Sequence, residues 1–148
     1  MDTFAGPQIS ELSPREAWMF LSENAASVLV DVRTRPEWGF VGGPDLSELS
    51  KGVVHVEWQT WPDMTENPAF AGEVFAQVGD LPSAFLFICR SGARSMRAAQ
   101  SVAEALAVQG ASVACINVAE GFEGDLDPHG RRGGLTGWKA RGLAWRQS

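Results

Sequence analysis

The residues best suited to chemistry lie in one stretch, Phe85-Leu86-Phe87-Ile88-Cys89-Arg90-Ser91-Gly92-Ala93-Arg94-Ser95-Met96-Arg97. A cysteine is followed at once by a glycine and two arginines. The thiolate is the reactive form of cysteine. Helix N-termini and nearby cations lower its pKa to roughly 3.5–7.5, against about 8.5 unperturbed. The elements around Cys89 supply both influences. Phe85 to Ile88 is a short apolar run, the pattern of a strand buried on both faces. From about Ser95 the apolar residues Met96, Ala99, Val102, Ala103 and Leu106 recur at helical spacing, with Gly110 as the C-terminal stop. Cys89 therefore sits where a buried strand ends and a helix begins.

The first N–H groups of a helix lack intrahelical partners and carry partial positive charge. A loop of such groups curled toward one point forms an anion-binding nest. Backbone N–H groups from Arg90 to Ser95 are placed to hold an anionic sulfur, Gly92 allows a left-handed turn, and Ser91 and Ser95 offer hydroxyl hydrogens. A buried inert cysteine is the plain alternative for a lone thiol. The glycine and arginines that follow favour a nucleophile.

Cys89-Arg90-Ser91-Gly92-Ala93-Arg94-Ser95 resembles the active-site loop of the rhodanese sulfurtransferases, C-R-x-G-x-R-[ST], at every specified position. Asp31-Val32-Arg33 and Glu37-Trp38 resemble the family's D-V-R and E-[YW] elements. The usual G-H-I step reads Phe40-Val41-Gly42-Gly43-Pro44 here. Asn117-Val118 with Gly121-Phe122 resembles the closing strand and turn, which passes close to the active site. Gly137-Trp138 to Leu143 resembles the W-x-x-x-G-L-P terminus, with Ala144 in place of proline. Trp138, Leu143 and Trp145 are expected to dock it on the core.

The resemblance implies a rhodanese-like α/β fold over about residues 9–146 and one domain spanning residues 1–148. It implies sulfur transfer through a Cys89 persulfide, with no cofactor. The donor would be a small anion such as thiosulfate, and the acceptor cyanide, a thiol or a protein. Asp31 and Arg33 read either as support of the loop by hydrogen bonds and charge or as a structural ion pair on a strand end, and the two can be one arrangement. The alternatives are a persulfide-carrying or non-catalytic binding module, and a cysteine-dependent phosphatase or arsenate reductase. Tyrosine phosphatases place five residues between cysteine and arginine, whereas Arg90 to Ala93 make four. A shorter loop suits a single sulfur better than a tetrahedral oxyanion.

Composition is ordinary for a soluble globular protein. The 148 residues are 45% hydrophobic and 20% charged, enough for one core. The net charge of −6 argues against nucleic acid or an anionic membrane as partner, so Arg90, Arg94 and Arg97 make a local cationic spot on an acidic protein. No apolar run reaches membrane-span length, and Met1-Asp2-Thr3-Phe4 does not start a signal peptide. The expected location is the cytoplasm, which keeps thiols reduced. His55 and His129 lack metal-ligand spacing with Cys89 and Cys115, so no metal site is expected. Cys115 lies mid-strand among apolar neighbours and reads as packing. The sequence leaves the oligomeric state open.

Strands are expected near 28–32, 53–56, 85–89 and 113–118, joined by segments long enough for crossovers. That pattern predicts a mostly parallel sheet of about five strands with helices on both faces. Ser13-Pro14-Arg15-Glu16 reads as a capping box opening a helix to about Asn24. Asn67-Pro68 reads as cap and N1 of a second. Residues 1–10 read as an extended lead-in, and 125–134 as a solvated loop in which Arg131 and Arg132 can add positive charge near the site.

Overall fold

A computed structural model describes residues 9–148. In chain order the elements are β1 (Ile9–Leu12), α1 (Pro14–Glu23), β2 (Ser27–Asp31), β3 (Gly43–Pro44), β4 (Val54–His55), β5 (Gln59–Thr60), β6 (Thr65–Glu66), α2 (Phe70–Val78), β7 (Ala84–Ile88), α3 (Ala93–Val108), β8 (Ala114–Val118) and β9 (Trp145–Arg146). A π-helical turn covers Glu37–Val41. The main sheet has order β1-β8-β7-β2-β4, and each neighbouring pair is parallel. β7 is central, so the Cys89 loop leaves the middle of the sheet at its carboxyl edge, where α/β folds gather function.

The alternation of side chains along β7 divides the core in two. Phe85, Phe87 and Cys89 face α2 and α3, packing with Val30, Phe70, Val74, Ala98, Val102 and Leu106. Leu86 and Ile88 face α1 and the C-terminal segment, packing with Ala17, Leu21, Val118, Phe122 and Trp138. Every β7 residue is buried, as a strand covered on both faces requires.

Local signals hold where they are strong. Ser13 Oγ accepts the Glu16 N–H, and the Glu16 carboxylate accepts the Ser13 N–H, closing the capping box with Pro14 at N1. Gly110 (φ +71°) ends α3 in a Schellman motif, with Gly110 N–H on Ala107 O and Ala111 N–H on Leu106 O.

Four expectations need correction. Ile9 and Ser10 are not lead-in but open the edge strand Ile9–Leu12 beside β8; a lone polar edge strand gives a weak apolar signal. The rest of the expected lead-in, residues 1–8, lies outside the described residues. α2 starts at Phe70 rather than Pro68, because Asn67 Oδ1 takes the Ala69 N–H in a turn ahead of the helix. α3 starts at Ala93, earlier than Ser95, so the helix N-terminus reaches into the loop itself. Trp145 does not join the core: it lies on β9, 38% exposed, edge-on to Phe122. Trp138 does dock the terminus, fully buried with its Nε1–H on Ala144 O at 2.8 Å.

Candidate active site

Cys89 follows β7 directly and is 1% exposed. Its Sγ accepts the Gly92 N–H at 3.1 Å and lies 3.1 Å from Ser95 Oγ. The loop can curl this tightly because Gly92 has φ +112°, a left-handed conformation that a side chain would strain. Gly92 is also the N-cap of α3. The N–H groups of Ala93 to Ser95 head the helix beside the sulfur and have no intrahelical partner. The nest expected from the sequence is thus a single sharp turn passing into a helix.

A pocket of about 730 Å³ opens over the loop, lined by Cys89, Arg90, Ser91, Ala93 and Arg94 among others. Arg90 is exposed at its mouth. Arg132, half-buried, reaches the same pocket from the 125–134 loop and donates to Gly124 O at 2.6 Å. Leu126 and Gly130 line it too, so this loop forms part of the wall. Arg131 stays exposed and is not part of the lining. Trp61 and Leu126, both exposed, add an apolar rim.

Arg94 does not point its guanidinium at the sulfur. Its Nη1 and Nη2 donate to Glu37 Oε1 and Oε2 at 2.8 and 2.9 Å, a bidentate pair. Glu37 opens the π-helical turn and also accepts the N–H and hydroxyl of Thr34. Burial alone would raise the Glu37 carboxyl. The Arg94 guanidinium and the two Thr34 donors outweigh it and hold the pKa at about 2. Burial likewise opposes charge on Arg94, but Glu37 more than compensates, with further help from Cys89 and Asp31, and its pKa is raised. Arg94 therefore clamps the start of α3 to the wall after β2.

Asp31 and Arg33 sit beneath this wall, both fully buried. Arg33 Nε and Nη2 donate to the Asp31 carboxylate, the Nη2 contact being 2.7 Å. Nη2 also holds Gly42 O at 2.7 Å, and the guanidinium lies over the Phe122 ring at 4.6 Å. Neither residue of the pair lines the pocket. It fixes the Gly42 turn and the segment after β8, so it is both a structural ion pair and a support of the site.

That segment is the strap of the loop. Phe122 N–H donates to Cys89 O at 2.7 Å, and the Glu123 and Gly124 N–H groups both donate to Arg90 O at 3.0 Å. Gly121 (φ +68°) lies so close that a Cβ there would come within 2.5 Å of the Arg90 and Ser91 backbone. Glu120 in turn accepts the Gly137 N–H and pairs with Arg141, tying the strap to the C-terminal segment.

Two polar side chains, Asn117 and Glu11, have roles at the site that sequence reasoning does not assign. Asn117, buried on β8, joins its Oδ1 to Ser95 Oγ in a short hydrogen bond, and its Nδ2 donates to Glu11 on β1 at 2.8 Å. Only the pairing of Glu11 with Asn117 across β1 and β8 brings them together. The remaining candidates stand apart. His55 is exposed and stacks edge-on against Trp38 at 4.9 Å, outside the pocket. His129 is exposed on its loop. Cys115 is buried, and burial pushes its thiol up to about 12, as suits a packing residue. Among the described residues, no helix is long and apolar enough to cross a membrane.

No family model matches the chain. An uncharacterized protein of Rickettsia conorii is 33% identical over 138 residues, covering 93% of this chain and 97% of the relative. A second, from Rickettsia prowazekii, is 30% identical over the same coverage. The crystal structure of Rv0390 from M. tuberculosis superposes with a TM-score of 0.79 at 46% identity, covering 95% of this chain and 99% of that one. The chain belongs to the family of these proteins. The mycobacterial likeness accords with the α/β architecture and with a rhodanese-like arrangement of the parallel sheet.

Proposed function

We propose that this protein is a rhodanese-like sulfurtransferase with Cys89 as the sulfur carrier. The Cys89 thiolate attacks the outer sulfur of a donor such as thiosulfate. Its electron pair forms the new S–S bond, the donor's S–S bond breaks, and that pair leaves with sulfite. Cys89 then carries a persulfide. A second nucleophile (cyanide, a thiol or a protein cysteine) attacks the terminal sulfur and restores the thiolate.

The observation that carries this reading is the position of Cys89 Sγ. It lies at the base of a four-residue turn, against the Gly92 N–H and the head of α3. Donors aimed at the place where charge develops stabilise an anionic sulfur there. Arg90 and Arg132 at the mouth suit an anionic donor. The commitment of Arg94 to Glu37 counts against phosphatase or arsenate chemistry, because the arginine that closes the loop is paired with a carboxylate and is not free to clamp a tetrahedral oxyanion. We place the reaction in the cytoplasm, where the thiol stays reduced.

The test is steady-state turnover of thiosulfate and cyanide to thiocyanate. Parallel lines in the double-reciprocal plots are expected, since two half-reactions share one covalent intermediate. Cys89→Ser should lose turnover while keeping its fold. Intersecting lines, or turnover that survives the substitution, would exclude the mechanism. A folded protein with no turnover from thiosulfate or from a persulfide donor would instead favour the binding module.

A further inference from the structure

The hydrogen bonds around Cys89 can be assigned proton by proton. Asn117 Nδ2 has two hydrogens and two acceptors, Glu11 Oε2 at 2.8 Å and Gly92 O at 3.2 Å. A carboxylate and a carbonyl can only accept. The amide orientation is thereby fixed, and its Oδ1 must face Ser95. Oδ1 also can only accept, so Ser95 spends its one hydrogen on Asn117. Gly92 O lies 3.3 Å from Ser95 Oγ, but it already takes the Asn117 and Met96 N–H groups. What Ser95 turns toward Cys89 is a lone pair, 3.1 Å from the sulfur. That contact is favourable only if the sulfur carries a hydrogen.

We propose that Asn117 is a positioning residue for Cys89. By taking the Ser95 hydrogen, it makes Ser95 the acceptor of the Cys89 thiol proton and holds the resting site as thiol. On ionisation the S–H bond breaks and its proton passes to a solvent base at the pocket mouth. Ser95 must then rotate its own hydrogen from Asn117 to the sulfur. No other bond changes and no oxidant is involved. Ser95 serves as acceptor in the resting state and as donor to the thiolate or persulfide, and Asn117 competes with the sulfur for that hydrogen. Glu11 acts one step further out by fixing the Asn117 amide. The inference rests on Cys89 as the reactive group of the proposed function, and its test uses no sulfur donor, so the two can fail separately.

The test has two readouts in a Cys115→Ala background, which leaves Cys89 as the sole thiol. The first is the S–H stretching band in the infrared. In the otherwise unaltered site the band should lie at the low wavenumber of a hydrogen-bonded donor, and Ser95→Ala should move it to the free S–H position. The second is the iodoacetamide alkylation rate at pH 7. Asn117→Leu frees the Ser95 hydrogen for the sulfur, so alkylation should quicken by about tenfold, the scale of a hydrogen bond to a charged group. In the Ser95→Ala background Asn117→Leu should change nothing. A band already at the free position would overturn the proposal without any variant at Ser95 or Asn117. So would an Asn117→Leu effect that persists without Ser95, or alkylation that slows in a folded Asn117→Leu protein.

Discussion

Replacing Glu37 by glutamine tests whether the Arg94 clamp is energetic or incidental. Glu37 and Arg94 are 19% and 17% exposed at their side chains, so the pair is largely withdrawn from water. The Glu37 carboxyl stands at about 2, against its ordinary value of 4.5. A depressed carboxyl contributes stability that is present above the unfolded pKa and lost as pH falls through the folded one. The difference corresponds to about 3 kcal/mol at neutral pH, and about 2 kcal/mol of that remains at pH 3.5. Glutamine keeps the shape and can still accept from Thr34 and Arg94, and the pair is partly exposed. The expected loss for Glu37→Gln is therefore about 2 kcal/mol at pH 7. Urea unfolding of the parent and the variant measures it. The gap should narrow as pH falls from about 5 toward 3, because the parent titrates at this position and the variant does not. Equal stability at pH 7, or a gap that holds constant down to pH 3, would refute the reasoning.

Further consequences follow from the loop and its strap. Gly121→Ala requires a Cβ within 2.5 Å of the Arg90 and Ser91 backbone at a φ of +68°. It should lower stability by at least about 1–2 kcal/mol, measured by urea unfolding, and cut thiosulfate turnover by at least about tenfold. One residue inserted between Arg90 and Ala93 should abolish transfer while the thermal transition moves only slightly; unchanged turnover would discredit the importance of loop size. With the Cys115 thiol pushed up to about 12 and buried, a disulfide reagent at pH 8 should modify one thiol in the folded protein and both in urea.

Sequence reading succeeded where the information is local. The Cys89 loop joins a run of apolar residues to a helical repeat, and each side of it names its own conformation. The capping box at Ser13 and the glycine stop at Gly110 are complete within a few residues. The partners of the loop are different. Glu37 lies 57 residues from Arg94, and Glu11 lies 106 from Asn117. Nothing near Glu37 says that it will receive a guanidinium, since the pairing arises only when the turn after β2 folds against the head of α3. Asn117 reads as one polar residue in an apolar strand. Its meaning appears only when β8 takes its place between β7 and β1. The length of β4 was likewise overestimated, because Val53 to Val56 alternate like a longer strand while only Val54–His55 keeps ladder pairing with β2.

The central claim is that Cys89 carries sulfur, and the mass of the intact protein tests it most directly. After incubation with thiosulfate and removal of excess donor, the mass should rise by one sulfur atom, with the addition mapping to Cys89 and absent in Cys89→Ser. Cyanide or dithiothreitol should then restore the starting mass. A protein that gains no sulfur from thiosulfate or from a cysteine-desulfurase persulfide, or gains it elsewhere than Cys89, would contradict the account.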